Sequence, residues 1–152
     1  MADVANVSAV AHVIQLAVAP VFLLSGIGAM LSVMTNRLSR VIDRARFLEE
    51  KLGHTTPDLQ RTIHEEIATL SQRAKLVGSA ITLCTITALL VCTVIAILFS
   101  SAFLNFNASI PVALLFIAAM LAFFLGLLWF LREIFIATAS LRIGPRLDPE
   151  KN

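Results

Sequence analysis

The feature that most limits what this chain can fold into is the placement of its charges. From Val4 to Asn36 there is no Asp, Glu, Lys or Arg, and from Leu76 to Leu131 there is again none. A spanning helix needs roughly 20 apolar residues. The first tract therefore holds one span, and the second holds two spans and a connection. The composition agrees, with 58% hydrophobic and 14% charged residues, far from a soluble globular average. The fold class expected is an all-α integral membrane protein with three transmembrane helices. The spans are placed at about 10–34, 76–99 and 111–131, the last with a helical extension to about 143. The 152 residues make a single domain that ends in a mobile tail, 144–152.

Between the tracts lie two seams with coiled-coil spacing. Leu31, Met34, Leu38, Val41, Ala45, Leu48 and Leu52 alternate steps of three and four, and Ile63, Ile67, Leu70, Ala74, Val77 and Ile81 do the same. The break is Gly53-His54-Thr55-Thr56-Pro57. Gly53 suits the position past a helix end, Thr56 can cap the next helix, and Pro57 fits its first turn. Seams joined by so short a break must pair antiparallel. The first two spans are thus expected to extend into a helical hairpin over about 35–75. A helix from Val10 to Leu52 would be about 65 Å long at roughly 1.5 Å per residue, with about 25 Å outside the bilayer.

Orientation follows from the bases. Arg37, Arg40, Arg44, Arg46, Lys51, Arg61, Arg73 and Lys75 lie on the hairpin, and Arg132, Arg142, Arg146 and Lys151 follow the third span. The N-terminus and the connection Ser100–Ser109 carry none. The positive-inside rule then places the hairpin and C-terminus in the cytoplasm and the N-terminus outside. The start of the chain does not match a cleavable signal, because its first charge is Asp3 and its apolar run is too long. The net charge of +2 is too small to suggest a nucleic-acid partner.

On the hairpin, a turn centred near Thr55 brings Arg44 opposite Glu66, and Glu49 and Glu50 opposite Arg61. Arg40–Asp43 and Arg46–Glu50 are spaced for pairs within one helix. Arg37, Arg73 and Lys75 have no such partner, so they are expected at the cytoplasmic surface, facing anionic headgroups. The expected stalk and headgroup contacts are Arg37, Arg40, Asp43, Arg44, Glu66 and Arg73. His54 and His64 flank the turn without a third ligand, so no metal is expected.

Within the spans, Pro20 is a hinge candidate because it frees a carbonyl one turn earlier. His12 and Gln15 share a face near the outer end, and Gly78, Thr82 and Thr85 form a small polar stripe, with Cys92 close to it. His12, Gln15, Thr82 and Thr85 are the candidates for a pore or polar face; the stripe also suits helix packing. Cys84 and Cys92 are expected as packing residues. Ala118, Ala122 and Gly126 are spaced for a small-residue groove, and Trp129 and Arg132 mark the inner interface. Asn107-Ala108-Ser109 matches a glycosylation acceptor. Glu133 is expected to be paired or hydrated beside Arg132.

There is no Gly-rich phosphate loop, no nucleophile elbow and no acidic pair deep in a span, so neither an enzyme nor a cofactor is expected. The run Val13–Leu48, VIQLAVAPVFLLSGIGAMLSVMTNRLSRVIDRARFL, resembles a bacterial membrane family known as domain of unknown function 2721. The resemblance rests on Ala19-Pro20, on Thr35-Asn36-Arg37, and on Arg40, Asp43 and Arg44 at helical spacing. It implies a small multi-pass protein of the bacterial inner membrane and supplies no activity, ligand or catalytic residue. The function expected is a homo-oligomeric assembly or partner-binding protein that uses its hairpin. The alternative is an oligomeric channel for ions or small solutes.

Overall fold

The computed structural model describes residues 2–53, 56–104 and 107–140; within these, the side chains of 2–10, 12, 13, 57, 58, 102, 103, 139 and 140 are excepted. The expectations for the His12 side chain, His54, the end of the third helix near 143 and the tail 144–152 lie outside the described residues.

The described residues form three α-helices: α1, Ala2–Leu52; α2, Pro57–Leu104; and α3, Ser109–Ser140. Each contains a stretch long and apolar enough to cross a membrane. The helix ends follow local chemistry. α1 stops one residue before Gly53, and the Thr56 carbonyl accepts the Gln60 N–H at 3.0 Å to open α2. Gln60 Nε2 donates to the Leu52 carbonyl at 3.4 Å, covering an acceptor left open by the end of α1. At the other connection, Asn107 Oδ1 accepts the Ser109 N–H at 3.1 Å and the Ala108 carbonyl accepts that of Val112 at 3.1 Å. α2 continues past Ser100 and Ser101 to Leu104. The Ser101 hydroxyl can stay in the helix because it donates to its own Leu98 carbonyl at 2.8 Å.

One repeat organises the packing. On α1, Pro20, Ile27, Met34, Val41 and Leu48 are buried at seven-residue intervals. On α2 the buried series is Ile63, Leu70, Val77, Cys84 and Val91, with a second face at Ala80, Thr87 and Val94. On α3 it is Ala119, Gly126 and Glu133. Seven residues is close to two helical turns, so each series lies along one face of its helix. Every residue of the two seams belongs to one of two clusters. Val41, Leu48, Ile63 and Leu70 form one, with Ala45, Leu52, Ile67 and Ala74 against it. Ile27, Met34, Val77, Ala80 and Cys84 form the other, joined by Leu31, Leu38 and Ile81, and by Phe123 and Phe130 of α3. α2 is the shared element and packs against both α1 and α3.

The groove on α3 differs from the expected Ala118–Ala122–Gly126. Ala118 is exposed and Ala119 is buried. A Cβ at Gly126 would lie 3.3 Å from Cys84 Sγ, 3.3 Å from Leu83 Cβ and 3.4 Å from the Ala80 carbonyl oxygen. The buried positions on α3 thus advance by seven residues and not by repeated fours. α1 is continuous through Pro20, which is buried and lines a cavity of about 580 Å³ with Ala19, Val94, Leu98, Val112 and Phe116.

Candidate functional site

All three helices contribute charge just beyond their apolar stretches. Glu133 stands on α3 at the next seven-residue step after Ala119 and Gly126, so the repeat that packs α3 on α2 turns its carboxylate inward. It is the single acid on α3 and is fully buried. A lone buried carboxylate would be very costly, and two guanidiniums meet it. Arg73 of α2 donates from Nε at 3.1 Å and from Nη2 at 2.9 Å to Oε1. Arg37 of α1 donates from Nη1 at 3.0 Å to Oε2. Each oxygen is therefore held by a different helix. The Arg37 guanidinium also lies 5.5 Å from the centroid of the Phe130 ring on α3.

This corrects the expectation that Arg37 and Arg73 lack carboxylate partners. Glu133 is paired, one of the two expected states, while its neighbour Arg132 lies 5.8 Å from the centroid of the Trp129 ring. Local spacing misses the contact because its partners are far apart in sequence. The available signal was the position of Glu133 in phase with Gly126.

Beyond the clamp, Arg37, Arg40 and Arg44 share one face of α1 around buried Val41. With Leu70, Arg73 and Glu133 they line a cavity of about 300 Å³. Arg44 donates from Nε at 3.1 Å and Nη2 at 2.9 Å to Glu66 Oε1, linking α1 to α2. Both partners are about half exposed, so the pair adds only about 0.2–1 kcal/mol. Arg61 pairs along its own helix with Glu65 at 3.6 Å and not with Glu49 or Glu50, a shorter reach for two exposed side chains. Among the described residues, Arg40, Asp43, Arg46 and Lys75 form no ion pair.

The opposite side of the α1–α2 seam carries a second cavity of about 330 Å³, lined by Ile42, Ala45, Glu49, Ile67, Ser71 and Ala74 among others. Large apolar side chains stand exposed along the charged segment: Ile42, in this groove, at 38%, and outside it Phe47 at 47% and Leu59 at 52%. Phe47 is partly shielded by cations, with Lys51 Nζ 4.4 Å from its ring centroid.

The candidate polar face does not converge within the chain. Gln15, Thr82 and Thr85 are all exposed. The Thr82 and Thr85 hydroxyls donate to their own helix, at the Gly78 carbonyl (3.0 Å) and the Ile81 carbonyl (2.9 Å). Cys84 is buried and Cys92 exposed, both as free thiols.

The model of a family described as a protein of unknown function, DUF2721, matches residues 17–143. No curated protein and no solved structure matches the chain.

Proposed function

The chain belongs to the DUF2721 family, and on that premise we propose a small inner-membrane protein that assembles with copies of itself through a cytoplasmic helical hairpin. The membrane body is α1 to Leu131 of α3, less the charged segment between Arg37 and Lys75. The distribution of Lys and Arg supports the cytoplasmic side for that segment. The observation that carries the assembly reading is the exposure of Ile42, Phe47 and Leu59 in the charged segment, where no lipid can cover them. Two paired helices bury one seam and leave their flanks open. The groove of Ile42, Ala45, Ile67 and Ala74 has the apolar floor and polar rim that a helix from a second hairpin would fill, making a four-helix bundle. The clamp of Arg37, Arg73 and Glu133 supports a fixed angle between hairpin and membrane body.

The test is native mass spectrometry of the full chain released from nanodiscs. Wild type should give one defined oligomer, and Ile42→Glu, which puts a charge on the groove floor, should give monomer with unchanged helix content. A monodisperse wild-type monomer would overturn the reading. The channel alternative draws less support, because Thr82 and Thr85 spend their hydroxyl protons on their own backbone. No catalytic role is assigned to any residue.

A further inference from the structure

The cavity beside the clamp holds more positive charge than its carboxylates neutralise. Arg37, Arg40, Arg44 and Arg73 face it from two helices, while Glu133 is the acid in its lining. Glu66 draws Arg44 from outside that lining. The Glu133 oxygens accept from Arg73 and Arg37 and make no ion pair with Arg40. Arg40 lines the cavity and has no ion pair among the described residues.

Three properties fit an oxyanion here. First, Glu133 holds Arg37 and Arg73 in place, so less side-chain entropy is lost when their remaining N–H groups bind. Second, guanidinium forks match the spacing of phosphate oxygens. Third, Arg37 directly follows the first charge-free tract, Arg73 lies three residues before the second, and Glu133 lies two after its end. That is the level of lipid phosphates if the tracts span a bilayer. The volume of about 300 Å³ equals about ten waters at roughly 30 Å³ each, room for a phosphate and its substituent.

We infer that Arg37, Arg40, Arg44 and Arg73 form a phosphate-binding site at the membrane interface, with Arg40 as its uncommitted donor and Glu133 as the residue that positions Arg37 and Arg73. The phosphate comes from an anionic lipid headgroup or from a free phosphate; the chemistry of recognition is the same.

The experiment uses the full chain in a phosphate-free maltoside detergent, titrated separately with phosphatidylglycerol and with inorganic phosphate against chloride at matched ionic strength. Binding is read per chain by native mass spectrometry and by the shift in melting temperature. Arg40→Gln should weaken binding about tenfold, the factor that corresponds to about 1.4 kcal/mol. Arg46→Gln removes the same charge from a side chain lining the opposite groove and should leave binding unchanged. Saturable phosphatidylglycerol binding that inorganic phosphate displaces assigns the headgroup as the source. Saturable binding of inorganic phosphate alone assigns the free anion. The site is overturned if neither ligand saturates, if Arg40→Gln binds like wild type, or if Arg46→Gln weakens binding equally. The headgroup source rests on the membrane reading above, but the site needs no oligomer. A failed assembly reading appears as a monomer in the same spectra, separately from ligand loss.

Discussion

Glu133 shows how a single residue can join three elements. Removing its charge leaves Arg37 and Arg73 without the carboxylate that joins them, and the loss exceeds that of a surface pair because Glu133 itself is fully buried. Glu133→Gln should therefore lower unfolding stability on the order of 2–3 kcal/mol. This is below the full buried-pair figure because both guanidiniums keep some solvent contact. Adding Arg73→Gln removes one of the uncompensated charges, so the double variant should be more stable than the two single losses added together. Reversible denaturation in mixed micelles would measure both, and strict additivity would mean the three side chains do not act as a unit. The sequence makes Glu133 visible as the one acid on α3. It does not reveal the acid's partners, because Arg37 is 96 and Arg73 is 60 residues away in the chain.

At the scale of the helices, the seven-residue repeat carries the packing. Where it places Gly126, α3 lies so close to α2 that even a Cβ would press on Cys84, Leu83 and the Ala80 carbonyl, which would have to give by a few tenths of an ångström. Gly126→Leu should push the helices apart and cost about 3 kcal/mol, the upper part of the range for overpacking. Gly28→Leu is the control, since a Cβ there meets nothing within 4 Å. Its melting should stay within the about 0.5 kcal/mol typical of open surface sites. Equal losses for both variants would show that the damage comes from bulk in any helix and not from the α2–α3 contact. The seams of α1 and α2 were legible because both partners carry the repeat through the short break at Gly53. In the α3 groove Gly126 was placed correctly, and Ala118 was read where Ala119 faces α2. Small residues occupy both 118 and 119, and only contact with α2 distinguishes them.

For the whole molecule, the proposed sidedness follows from the placement of Lys and Arg. Under the positive-inside arrangement, His64→Cys on the charged segment should react with an impermeant maleimide only after the cytoplasmic face is opened. Asn107→Cys, in the connection before α3, should react from the outside of intact cells. Both parent residues are exposed or lie at the helix connections, so access is set by the membrane and not by burial. The reverse pattern would invert the protein and remove the cytoplasmic hairpin from the assembly reading.

What the sequence determined by itself is the set of elements: three apolar helices, the break between α1 and α2, and the faces those two turn toward each other. These follow from composition and periodicity, which act over a few helical turns and need no knowledge of distant partners. Only the tertiary structure decided that Arg37, Arg73 and Glu133 meet, that Ala119 and not Ala118 faces α2, and that Thr82 and Thr85 point away from the chain's own core. The physical reason is that α2 is shared. Its rotation must satisfy α1 and α3 together, and that joint packing fixes which side chains on its remaining faces are buried, paired or left open.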